Sequence, residues 1–275
     1  MRDAKWSRVS TALAGLLLGC GVPQAGSDGP VGVDGDCPVT MEPHGGAAVA
    51  KPVIVNVYWG TYWETPLAAE NAFLPAGSIP RRVWDGAWAE LAAMPAFWAP
   101  LDEYQVGFGS WGGSGTLEED DDDRKPIPEE RIQAALERAI AGGALPERAD
   151  GIYVVYLAPG RTAAADYIGF GGSVISAHHS SYRGGGGSRR IYAVIEAWNE
   201  TMGGHSVAAS HEIAEAATNP DGSGLWDPRT GEEIADLCIG SESLLVPGTS
   251  ALTAFFFRVA QVWSHGSCDC SGPKL

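Results

Sequence analysis

The order of strand and helix signals along the chain predicts an α+β fold, a mixed sheet packed by helices. Two observations carry this reading. Dense apolar runs of strand length, such as residues 53–59 and 152–157, stand apart from stretches whose apolar residues recur at helical spacing. The two kinds of segment alternate as strand, helix, strand, helix, three strands, helix.

Residues 53–59, Val-Ile-Val-Asn-Val-Tyr-Trp, form the first strand signal. Residues 82–98 place Val83, Trp84, Ala87, Trp88, Leu91 and Met94 on one helical face, with the tryptophans read as core. Residues 104–111 read as a second strand. Residues 118–123 are six consecutive acids, which repel one another and read as a solvated loop. Pro128, Glu129 and Glu130 open a helix that Gly142 and Gly143 close near residue 141. Strands are expected at 152–157, 167–176 and 191–198, with the glycine run 184–187 as a mobile loop. A last helix covers residues 206–218 and stops at Asn219-Pro220.

The N-terminus places the domain outside the cytoplasm. Arg2, Lys5 and Arg8 precede a short apolar stretch, residues 9–18, too short to span a bilayer as a helix. It ends in Leu17-Leu18-Gly19-Cys20, similar to a bacterial lipobox, so residues 1–19 read as a lipoprotein signal peptide with lipid on Cys20. Residues 20–50, rich in Gly, Pro and Asp, read as a flexible tether. Residues 51–275 read as one globular domain. The formal charge is −16; removing residues 1–19 takes away three bases and one acid and leaves −18. That excess argues against nucleic acid or an anionic membrane surface as a partner. With Cys20 lipidated, Cys37, Cys238, Cys268 and Cys270 remain, an even number suited to two disulfides. Cys268 and Cys270 are too close to pair with each other, so Cys37 and Cys238 join them in either order.

The string Ser210-His211-Glu212-Ile213-Ala214-Glu215 carries the candidate chemistry. Residues four apart share a helical face, so His211 and Glu215 project together, and imidazole and carboxylate both hold zinc. Glu212 is rotated by about 100°. In the His-Glu-x-x-His helix of zinc proteases the adjacent Glu is the general base for a metal-bound water; here Glu215 stands where the second His would be. The alanines around the string indicate a buried helix, where charged groups need partners. The element order and this helix are compatible with the layout of a zincin-like catalytic domain.

The residues 210–220, with Leu225-Trp226 and the segment Glu233-Ile234-Ala235-Asp236-Leu237-Cys238, resemble the core of the EXORDIUM or phosphate-induced protein 1 family. These are secreted plant proteins with bacterial relatives. Residues 53–59, 152–157, 177–181 and 262–268 are similar to further segments of that family. The resemblance implies extracellular growth or signalling roles without a settled biochemical activity. It also implies that His211, Glu212, Glu215 and Asp236 belong to one site.

The expectation is a metal-dependent hydrolase, a peptidase acting on peptide or protein. Zinc would be held by His211, Glu215 and Asp236, with Glu212 as base. Glu232, Glu233, His178 and His179 are rivals for the third ligand. Two carboxylates and one imidazole also suit a harder ion such as manganese or calcium. The alternative is a non-enzymatic binding or signalling protein in which the same residues form a structural metal site or a polar network. Ten tryptophans raise a third reading, carbohydrate binding.

Overall fold

The structure, a computed structural model, describes residue 37 and residues 39–64, 81–118, 126–158, 160–163, 177–196, 202–243 and 258–272. The fold is mixed α+β. Its centre is a five-stranded sheet of order β3-β2-β4-β6-β5. Here β2 is Val53–Trp59, β3 Ser110–Leu117, β4 Gly151–Tyr156, β5 Ala177–Arg183 and β6 Arg189–Ile195. The first four of these in spatial order run parallel, and β5 closes one edge antiparallel to β6. Helices α1 (Arg81–Ala92) and α2 (Pro95–Trp98) lie between β2 and β3 in the chain, and α3 (Glu129–Ala141) between β3 and β4. The fourth helix, α4 (Met202–Thr218), follows β6.

Period-two alternation sorts the strand residues into two cores. Ile54, Tyr58, Ile152, Val154, Tyr156, Ile191 and Ile195 pack with α1, α2 and α4. Val55, Val57, Trp59, Tyr153, Val155, Tyr192 and Val194 pack with α3. A sheet buried on both faces explains why β4 is apolar without interruption, Gly151 aside. Helix α4 packs against β4, β5 and β6 and against the short β9 (Val259–Ala260). It is buried almost all round, which fits its run of alanines.

Several expectations shift. Of residues 104–111, only Ser110 and Trp111 belong to a strand. Residues 99–104 make a 3₁₀ turn, Gln105 has a positive φ of 66° and Phe108 is 64% exposed. The strand starts at Ser110, and its three glycines hid it. A Cβ on Gly115 would stand 2.5 Å from Leu145, so the strand needs glycine for that approach. Residues 184–187 are a tight connection between β5 and β6, with Gly187 N–H donating to the Gly184 carbonyl. The expected strand 167–176, the acidic run beyond Glu118 and the lipobox lie outside the described residues.

The second half of the expected tether belongs to the domain. Met41 and Val49 are buried, and β1 (Glu42–Pro43) pairs with β7 (Leu225–Trp226). The Gly46 N–H donates to the Ser223 carbonyl in the loop after α4, and the Val49 N–H to the Ala217 carbonyl in the helix's last turn. Helix ends leave carbonyls such as that of Ala217 without partners, so the strap satisfies it. The disulfides are Cys37–Cys268 and Cys238–Cys270, which resolves the two connectivities left open. Beyond β8 (Glu242–Ser243), the C-terminal pair β10 (Val262–Ser264) and β11 (Asp269–Ser271) carries Cys270 opposite Trp263. Two disulfides indicate an oxidising, extracytoplasmic setting. Among the described residues no helix is long and apolar enough to cross a membrane.

Candidate metal centre

Helix α4 presents His211, Glu212 and Glu215, and the turn at 233–238 faces them. His211 and Glu215 meet as helix spacing predicts, with Nε2 3.2 Å from Glu215 Oε1. Asp236 closes the trio from 21 residues downstream, its Oδ1 3.4 Å from His211 Nε2. The Asp236 backbone N–H donates to the same Glu215 Oε1 at 3.1 Å. One donor atom from each of the three lies within 4.8 Å of the others. The 3₁₀ turn Asp236–Cys238 is pinned from behind by the Cys238–Cys270 disulfide.

A second histidine enters from the sheet. Register decides which one. His178 pairs opposite Val194 and His179 opposite Ala193, so the two point to opposite faces. His178 turns toward α3 and meets Glu129, with Nε2 2.5 Å from Oε1. His179 turns toward α4. Its Nδ1 lies 3.2 Å from Glu212 Oε2 and 3.8 Å from Glu215 Oε2. Its Nε2 lies 3.1 Å from the Asn219 carbonyl and 3.6 Å from Glu233 Oε1. His179, Glu212 and Glu215 form a second trio of potential metal donors.

The rivals for the third ligand separate clearly. Glu232 is exposed on the surface. His178 lies on the far face of the sheet. Glu233 borders His179, held by the Asn219 side-chain amide. Asn219, read from sequence only as a helix stop, therefore holds two site residues. Its side-chain carbonyl also accepts the Gly224 N–H at 2.5 Å. The Asn-Pro pair marked the helix end but gave no sign of these contacts.

Burial and charge oppose each other here. The side chains of His179, Glu212 and Glu215 are 9%, 6% and 4% exposed. Burial alone would lower the His179 pKa, but the Glu212 hydrogen bond and the charges of Glu233, Glu212 and Glu215 raise it to about 9. His211 is likewise raised well above an ordinary imidazole, burial being outweighed by Glu215 and Asp236. Burial lifts Glu215 above the usual carboxylate range against the pull of His211. Burial also lifts Glu233, to about 7. Asp236 is lowered; burial opposes this, but His211 outweighs it. Four carboxylates around two imidazoles make a pocket of negative charge suited to divalent cations.

Compared with protein-family models, with curated proteins and with solved structures, the chain matches none of them.

Proposed function

We propose that the protein is a zincin-like, metal-dependent hydrolase of the peptidase type, working outside the cytoplasm and anchored through lipid on Cys20. One observation carries the reading: His211, Glu215 and Asp236 converge at 3.2 and 3.4 Å across 21 residues of chain, with Glu212 beside them on the same helix. His211, Glu215 and Asp236 would hold a divalent ion, zinc first among them, which would supply Lewis acidity and lower the pKa of water. Glu212 takes the proton of the attacking water and returns it to the leaving amine. His179 orients the Glu212 carboxylate through the 3.2 Å contact at Oε2. Asp236 holds the outer side of the centre, its side chain 37% exposed. The likeness of residues 210–238 to the EXORDIUM family makes this chain, in our reading, a bacterial relative of it.

The test is elemental analysis of the disulfide-bonded protein beside His211→Ala and Glu212→Gln. Wild type should carry at least one equivalent of zinc, and His211→Ala should lose the ion at that centre. Glu212→Gln should retain the ion on His211 and lose peptide hydrolysis by 10²-fold or more, on the order of what a general base contributes. Wild type without metal, even after zinc is added back, defeats the proposal.

A second reading has one observation in its favour. His179 stands among three buried or half-buried carboxylates, a polar network that partners itself without a reaction. In a non-enzymatic binding protein Glu212→Gln leaves metal content and partner binding unchanged, and no peptide is cleaved by either form.

A further inference from the structure

We propose that the centre is dinuclear, with a second divalent ion held by Nδ1 of His179, Glu212 and Glu215, and with Glu215 bridging it to the ion on His211. The inference rests on the metal centre proposed above and adds a site to it. The Glu215 carboxylate is the key group. Its Oε1 faces His211 Nε2 at 3.2 Å, and its Oε2 faces His179 Nδ1 at 3.8 Å. One carboxylate thus offers one oxygen to each of two imidazoles, the arrangement of a bridging ligand. Two-metal hydrolytic sites space their ions about 3.5–4 Å apart, a span suited to a shared carboxylate.

The His179 ring is set for ligation. A carbonyl only accepts hydrogen bonds, so the 3.1 Å contact with the Asn219 oxygen keeps a proton on Nε2, and an ion on Nδ1 would displace the proton that Nδ1 shares with Glu212. The Asn219 contact directs Nδ1 at Glu212 Oε2 and Glu215 Oε2. Metal-bound histidines show this pattern: one nitrogen on the ion, the other donating to a carbonyl or carboxylate. Glu233, 3.6 Å from Nε2 and tied to the Asn219 amide, completes the outer ring.

The two trios match in chemistry. His211, Glu215 and Asp236 form one, and His179, Glu212 and Glu215 the other, each with its donor atoms within 4.8 Å. Four carboxylates, Glu212, Glu215, Glu233 and Asp236, surround the pair. Two divalent ions carry enough charge to balance all four. Imidazole and carboxylate donors suit first-row ions such as manganese, iron or zinc. Glu212 meets the second ion through Oε2 and keeps its other oxygen for the proton.

The test uses Mn²⁺ alone as the probe. The full disulfide-bonded chain is stripped with chelator, refilled with Mn²⁺, freed of excess ion, and measured by elemental analysis and electron paramagnetic resonance. Wild type should hold two Mn²⁺ per chain with the spectrum of an exchange-coupled pair. His179→Ala should hold one, with an isolated-ion spectrum, and Glu215→Ala should bind both positions far more weakly. The wild-type spectrum decides the matter even where a variant fails to fold. One Mn²⁺ per wild-type chain with an isolated-ion spectrum overturns the dinuclear proposal and leaves the single centre standing. No bound ion under any condition overturns both.

Discussion

His179 shows how one residue reports on the whole site. Without metal, burial works against its charge, yet Glu212, Glu233 and Glu215 raise its pKa to about 9. The folded value lies above the 6.5 of a free imidazole. Its contribution to stability is therefore full below about pH 6.5 and fades as pH rises through about 9. Glu233, lifted by burial to about 7 from 4.5, works in the same direction at lower pH. Chelated wild type should lose on the order of 2–3 kcal/mol of unfolding free energy between pH 6.5 and 9, by urea titration at each pH. His179→Gln should flatten that slope; an unchanged slope refutes the assignment. Site residues were legible to the degree that they are local. His211 and Glu215 follow from i, i+4 spacing. Asp236 was chosen as a downstream acid among rivals. His178 and His179 could be assigned to opposite faces by alternation, but which face meets α4 depends on strand register, a property of the assembled sheet.

At the scale of elements, helix α4 and the turn after it bring the donors together. The helix was read from apolar spacing and its Asn219-Pro220 stop, and it ends at Thr218 as expected. Its start, at Met202 rather than 206, was hidden by Gly203 and Gly204, poor helix formers that tertiary packing overrides. Strand β3 was placed too early for a related reason: Gly112, Gly113 and Gly115 give no strand signal, though a Cβ on Gly112 would stand 2.6 Å from Val53, one on Gly115 2.5 Å from Leu145, and Gly113 has a φ of 113°. The return turn is equally constrained. Gly224 passes so close to α4 that a Cβ would stand 2.3 Å from the Thr218 carbonyl and 2.6 Å from the Asn219 Cα, both backbone atoms. Gly224→Ala should therefore cost about 1–3 kcal/mol by denaturant unfolding. It should also weaken metal binding, because Asn219 holds the Gly224 N–H, Glu233 and His179 together. Destabilisation with metal affinity unchanged would show that the turn and the site are independent.

At the scale of the molecule, the domain closes on itself through its ends. The strap 39–49 runs along the end of α4, Cys37 joins Cys268, and Cys238 joins Cys270. Composition alone read the strap as the end of a tether, because the Gly, Pro and Asp of residues 21–38 run straight into it and its two buried anchors, Met41 and Val49, are few. The even cysteine count announced two bridges, but their pairing required the fold. The bridges have separate tasks. Cys37–Cys268 spans 231 residues and ties the strap to the C-terminal segment, with neither cysteine in the turn that carries Asp236. Cys238–Cys270 spans 32 residues and sits two positions from Asp236, where it fixes the turn that supplies the third donor. Removing either by paired serine substitution should cost about 2–4 kcal/mol of stability. Only the Cys238→Ser/Cys270→Ser variant should also loosen the ion on His211, because Asp236 then moves with a free turn while Glu215 stays on its helix. The expected result is at least a tenfold rise in metal dissociation constant for that variant, and less than threefold for Cys37→Ser/Cys268→Ser, matching the loss typical when a ligand's support is removed. Equal effects from both variants would mean that general loosening of the domain, and not the position of Asp236, governs the ion.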